Sequence, residues 1–155
     1  MLFTPLNDLR QVVQALRTHS LREVMGLIAE VMEYRLGQRF DRIHGVDTWE
    51  YVPLSRLGFA VGEAHRSGDY RATPVRTLRT LLARLPRDVI SSSPFVDFGS
   101  GKGRALLVAA DFAFRRIIGV EFSEELHRIA ETNLRVYRGH TQRCFDLSSV
   151  HARAE

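Results

Sequence analysis

Three glycines and two acids carry the most chemistry in this sequence. Asp97-Phe98-Gly99-Ser100-Gly101-Lys102-Gly103 reads D-x-G-x-G-x-G, and a second acid, Glu121, follows Asp97 by 24 residues. A loop that leaves a strand and turns sharply needs residues without a Cβ, so that a ligand can lie against the main chain. An acid that ends the next strand stands beside the same crevice. There its carboxylate can accept hydrogen bonds from both ribose hydroxyls of an adenosine. The glycine spacing also disfavours a dinucleotide loop and fails the pattern of a phosphate-cradling one. A dinucleotide fingerprint, G-x-G-x-x-G, requires glycine where Arg104 stands. A phosphate-cradling P-loop requires glycine at Val96 and Ser or Thr at Gly103.

Holding these residues takes a strand, a loop, a helix and a second strand. Phe95–Phe98 is a short apolar run bounded by turn residues, as expected of a buried parallel strand. Ala105–Ala110 reads as a buried helix, and Ile117–Val120 as the next strand, ending on Glu121. A further helix opens at Ser123, with Glu124 and Glu125 in its first turn, where acids complement the helix dipole. Cys144–Val150 has the pattern of a third strand. Taken singly, Asp97 reads as a turn acid and Glu121 as a helix-start acid; their arrangement in one unit carries the ligand reading. Lys102 and Arg104 are expected to face solvent.

Upstream, residues 6–36 show helical spacing. Leu6, Leu9, Val12, Val13 and Leu16 form one stripe, and Leu21, Val24, Met25, Ile28, Val31 and Met32 another. Ser20, with Glu23 three residues on, forms a capping-box pattern, and Gly37 reads as a helix stop. Residues 41–58 read as loop with short ordered pieces, in which His44 is a polar loop residue. His44, Asp47 and Glu50 lack metal-ligand spacing, so no metal site is expected. The next helix is expected at Thr73-Pro74, with Thr73 as N-cap and Pro74 in the first helical position. Val75, Leu78, Leu81, Leu82 and Leu85 give it an apolar face, Pro86 ends it, and Ser91–Ser93 form a linker. The chain thus divides into a helical N-terminal region, 1–73, and a ligand-binding α/β region, 74–155.

A length of 155 residues with 45% hydrophobic and 26% charged residues describes a globular chain able to bury a core. The formal charge of +4 arises almost wholly from arginine, since Lys102 is the only lysine. Its plain reading is a solvated arginine-rich surface; the other is a basic patch for an anionic partner. With Cys144 as the single cysteine, an intrachain disulfide and a cysteine-built zinc site are both excluded. No apolar run approaches the roughly 18 residues of a membrane span. Asp8 and Arg10 stand where a signal peptide would carry its apolar core. The expectation is a soluble cytoplasmic protein.

Taken together, H-G-V-D-T from His44, Y-R-A-T-P from Tyr70, F-V-D-F-G-S-G-K-G-R from Phe95 and I-I-G-V-E-F-S from Ile117 resemble a group of bacterial class I methyltransferases. The resemblance covers roughly residues 44–145 and is strongest from Phe95 to Asn133. It implies a Rossmann-like α/β fold with S-adenosylmethionine as cofactor. Gly99, Gly101 and Gly103 would approach the methionine part, with Ser100 counted in the same loop. Asp97 would fix the amino group, Glu121 would bind the ribose, and Phe122 would lie against adenine. Gly68–Pro74 is similar to a Tyr-Thr-Pro segment that packs over the cofactor in many DNA adenine methyltransferases. On that likeness Tyr70 and Thr73 join the cofactor site, although Thr73-Pro74 serves equally well as a helix start.

The family's sheet has seven strands, and only 34 residues follow Glu121 here. The expectation is therefore the N-terminal part of the sheet only. Truncation, or a partner chain or oligomer covering the bare side, would account for it. No Asn/Asp-Pro acceptor loop is present, so neither the acceptor (protein, nucleic acid or small molecule) nor a catalytic residue can be named. The competing reading is a non-catalytic module that binds the cofactor.

Overall fold

The computed structural model describes residues 20–53, 55, 57 and 69–153. The expected helical stripe from Leu6 to Leu16 lies outside them. Two compact units divide the chain at residues 36 and 37. Helix α1, Leu21–His44, begins in the first unit and ends in the second. At its start the backbone N–H and the hydroxyl of Ser20 both donate to the Glu23 carboxylate at 2.7 Å. The glutamate half of the expected capping box is therefore formed. Of the second apolar stripe, Val24 is buried, while Met25 and Met32 are exposed.

Gly37 does not stop this helix. The helix runs seven residues further, to His44, because Gly37 serves a close approach: a Cβ there would stand 2.0 Å from a ring carbon of Trp49. His44 is correspondingly a helix residue rather than a loop residue. Its ring lies 4.6 Å from that of Phe40 and 4.9 Å from that of Tyr137. Residues 45–53 leave the helix, and Val52 forms an isolated antiparallel bridge with Tyr70.

The helix expected at Thr73 starts later and is shorter. Helix α2 spans Val75–Leu82, and its N-cap position is Pro74, whose backbone is extended (φ −60°, ψ 122°). Thr73 therefore lies before the helix and caps nothing. Val75 and Leu82 are buried, but Leu81 is 54% exposed and Leu85 lies beyond the helix end. The expected five-residue face is thus narrower than its spacing implied. Pro86 begins an element instead of ending one: it occupies the N-cap of helix α3, Arg87–Ser92, which takes in two of the three linker serines.

Three parallel strands form one sheet in the order β1-β2-β3. They are β1, Phe95–Phe98; β2, Ile117–Glu121; and β3, Leu147–His151. Phe95 pairs with Ile117, and Ile117 in turn with Leu147. Helix α4, Arg104–Ala109, connects β1 to β2, and helix α5, Glu124–Val136, connects β2 to β3. Leu106, Leu107, Val108, Ala109, Ala110 and Ile117 are wholly inaccessible; with Val75, Leu82, Ile90, Phe114 and Tyr137 they form the core. The expected burial of β1 holds for one face only. Phe95 and Asp97 are half-buried, whereas Val96 and Phe98 are exposed, because β1 is an edge of this sheet and pairs with β2 alone. Among the described residues, no helix is long and apolar enough to cross a membrane.

Candidate functional site

A cavity of about 470 Å³ opens at the C-terminal ends of β1 and β2. Open parallel sheets bind ligands there, because the loops leave the strands in that direction and backbone N–H groups are available. Eight residues singled out from the sequence line it: Tyr70, Thr73, Asp97, Gly99, Ser100, Gly101, Glu121 and Phe122. Gly103 does not. It precedes α4 at φ +84°, and a Cβ there would meet that of Ala130 at 3.3 Å. The positive φ and the close packing on Ala130 of α5 are each met by glycine here.

Gly99 and Gly101 differ in what surrounds them. Both have positive φ, +75° and +54°. A Cβ on Gly99 would project into open space, but one on Gly101 would lie 2.2 Å from the Tyr70 ring. Tyr70 therefore packs directly on the loop. Its hydroxyl donates to the Thr48 carbonyl at 2.7 Å, and burial pushes its acidity well below that of a free phenol. Ser100 turns its side chain towards Gly119 of β2, where any Cβ would stand 2.6 Å from the Ser100 hydroxyl.

Glu121 is 6% exposed and braces the loop. One carboxylate oxygen accepts the Gly101 N–H at 2.7 Å, and the other accepts the Ser123 N–H at 2.8 Å. A carboxylate has about four lone-pair sites, so two remain for further donors. Asp97 lines the same cavity. Burial, and secondarily the charge of Glu121, raise its pKa above the ordinary carboxylate value. Two neighbouring acids with one destabilised in its charged form make a site that favours a cation. Phe122 follows Glu121 and carries the guanidinium of Arg153 4.8 Å from its ring centre.

Lys102 and Arg104 are buried, contrary to the solvent-facing expectation, each 1% exposed. Lys102 donates to both carboxylate oxygens of Asp47, at 2.9 and 3.1 Å. Arg104 donates to the Asp41 carboxylate at 2.8 Å, to the Thr48 hydroxyl at 2.7 Å and to the Gly37 carbonyl at 3.2 Å. The rings of Phe40 and Trp49 flank its guanidinium, 5.2 and 4.9 Å away. Asp41 also accepts from the backbone N–H groups of Thr48 and Trp49, both at 2.6 Å. Asn133 of α5 completes the brace, donating to the carbonyls of Asp47 and Lys102 at 2.7 and 2.9 Å. The segment 41–49 thus fixes the glycine loop from behind.

The sequence did not nominate Leu57, Asp69, Arg71, Leu126 or Ala152, which also line the cavity. Asp69 and Arg71 flank Tyr70 in a segment already singled out, so adjacency could have found them. Ala152 arrives through the pairing of β3 with β2, its N–H donating to the Glu121 carbonyl at 3.0 Å, and carries no signal of its own.

No family model matches the chain, and no curated protein matches it. The solved structures similar to part of it include two methyltransferases. One is a crystal structure of an RNA methyltransferase from Salinibacter ruber in complex with S-adenosyl-L-homocysteine. It is 23% identical with a TM-score of 0.41, over 52% of this chain and 48% of that one. The other is a crystal structure of the methyltransferase domain of bacterial CtHen1-C. It is 23% identical with a TM-score of 0.39, over 50% of this chain and 40% of that one. The matched part thus spans about half the length of the first structure and less of the second.

Proposed function

We propose that this chain is the cofactor-binding part of an S-adenosylmethionine-dependent methyltransferase, with residues 74–155 as its Rossmann-like half-domain. The observation that carries the reading is the pairing of Glu121 with the Gly101 N–H at 2.7 Å, beside Asp97, at the C-terminal end of two parallel strands. The residues present suit the cofactor. The space over Gly99 is open to a ligand, Glu121 keeps acceptor capacity for the ribose hydroxyls, and the Asp97–Glu121 pair favours the positive charges of the ammonium and sulfonium groups.

When bound, the cofactor supplies a methyl group already activated on sulfur, so its transfer is an in-line displacement. The chain's own contribution is positioning. Asp97 holds the amino end, Glu121 holds the ribose, and Phe122 offers an aromatic wall to the base. Tyr70 keeps the glycine loop closed against Thr48, which limits the freedom of the bound methyl donor. A general base is needed only for acceptors that must lose a proton, and none is assigned here.

Calorimetric titration with S-adenosylhomocysteine tests the reading directly. Saturable micromolar binding that Glu121→Ala weakens supports it. A folded chain that does not bind overturns it in favour of a remnant without cofactor. Binding without methyl transfer to protein, nucleic acid or small-molecule acceptors favours the non-catalytic module.

A further inference from the structure

At the cavity end, acids and arginines are mixed: Asp69, Asp97 and Glu121 stand with Arg71 and Arg104. At the other end, three chain segments enter β1, β2 and β3, and backbone hydrogen bonds knit them into one surface. The Arg115 N–H donates to the Ser93 carbonyl at 3.2 Å, and the Arg143 N–H to the Ala110 carbonyl at 2.7 Å. The Ile117 N–H donates to the Asp146 carbonyl at 2.9 Å. Arg115, Arg116, Arg138 and Arg143 are exposed on this surface, and Arg79 joins it through its ion pair with Asp111. Two of these five arginines are paired with acids, Arg79 with Asp111 and Arg116 with Asp146, the latter at 2.9 Å. The named arginines outnumber these two acids by three.

An exposed aromatic ring belongs to the same chain segment as Arg143. Phe145, between Arg143 and Asp146, is 77% exposed, although its neighbour Cys144 is buried. A phenylalanine that uncovered is unfavourable in water. An exposed ring among arginines is the arrangement that single-stranded nucleic acids use, phosphates on the cations and a base stacked on the ring.

We infer that the edge from which the strands start binds single-stranded nucleic acid, with the arginines taking phosphates and Phe145 stacking on a base. A duplex would use the charges but not the ring, because its bases are already stacked. The surface lies at the opposite end of the strands from the cofactor cavity, so the inference stands independently of the methyltransferase reading.

Fluorescence anisotropy of the whole chain with labelled oligo-U, oligo-dT and a duplex of equal length, starting near about 50 mM salt, tests it. Single strands are expected to bind, and Arg115→Glu/Arg143→Glu to reduce their affinity at least about tenfold. Phe145→Ala is expected to reduce single-strand affinity about tenfold and duplex affinity little. Arg143→Ala should lower the slope of log affinity against log salt by about 0.7. Oligo-U against oligo-dT then separates RNA from DNA as the preferred strand. All these substitutions are on exposed side chains and should leave the S-adenosylhomocysteine titration unchanged. Absent binding, an Arg115→Glu/Arg143→Glu chain that binds as well as the parent, or equal loss on duplex and single strand in Phe145→Ala would each overturn the inference. So would equal competition by inorganic polyphosphate.

Discussion

The carboxylate of Glu121 accepts the Gly101 amide hydrogen at 2.7 Å, tying the last residue of β2 to the middle of the loop that leaves β1. Its other oxygen holds the N–H of Ser123, the residue that caps α5. One buried side chain thus sets the loop, the helix start and the acceptor face of the cavity. Its removal should be felt twice, in ligand binding and in folding.

Glu121→Ala is expected to weaken S-adenosylhomocysteine binding about a hundredfold, from the loss of two hydrogen bonds to a charged group at roughly 1.5 kcal/mol each. The same change leaves two backbone N–H groups without their acceptor, so stability should fall by about 2–4 kcal/mol. Glu121→Asp should retain part of the binding. Titration calorimetry and urea denaturation read the two effects separately; wild-type affinity in a folded Glu121→Ala chain would remove the ribose role.

The three loop glycines should respond differently to alanine. At Gly99 the new methyl meets nothing, so stability should fall only by the backbone strain of about 1–2 kcal/mol, while the methyl occupies ligand space and abolishes binding. At Gly101 the methyl collides with Tyr70, adding about 1–3 kcal/mol of overpacking to that strain. At Gly103 the contact with Ala130 is milder, and any binding that survives should be near normal. Equal binding losses at Gly99 and Gly103 would contradict this division.

Asp97 gives the site a pH signature. Its pKa is raised in the folded state by burial and by Glu121. The native protein therefore binds more protons than the unfolded chain between the ordinary carboxylate value and the raised one. Stability falls as pH rises through that window, and the cost is absent below it. Asp97→Asn should accordingly raise the melting temperature of the ligand-free protein at neutral pH, with the difference vanishing in acid. It should also weaken binding of S-adenosylmethionine. Affinity for that cation should increase with pH through the titration of Asp97. A melting temperature unchanged at pH 7 would count against the destabilised carboxylate.

Arg104→Ala strips a buried partner from Asp41 and leaves a space between the Phe40 and Trp49 rings. A loss of about 3–5 kcal/mol is expected in denaturant unfolding. Arg104→Lys should recover little, since one ammonium cannot reach Asp41, Thr48 and the Gly37 carbonyl in the same fork geometry. Near-parental stability of Arg104→Lys would show that charge alone suffices.

The strand, glycine loop and helix were legible because their signals are local. Phe95–Phe98 and the strand ending at Glu121 stand between turn residues, and Ser123 with two acids announces the next helix. What escaped depends on distant residues. Lys102 and Arg104 read as surface cations because the acids that neutralise them lie 55 and 63 positions upstream. Gly37 read as a helix stop because a glycine that ends a helix and one that admits a neighbouring ring look the same until Trp49 is in place. Pro74 hid the true start of α2, since proline suits both the cap and the first turn.

The burial of Lys102 has a practical consequence. This chain has one side-chain amine, and it is enclosed within the brace behind the glycine loop. Amine-directed acylating reagents will therefore not reach Lys102 in the native fold. Each acylation at Lys102 marks an event in which the loop has separated from Asp47, so its labelling rate, followed by mass spectrometry, times the opening of this region without any engineered probe.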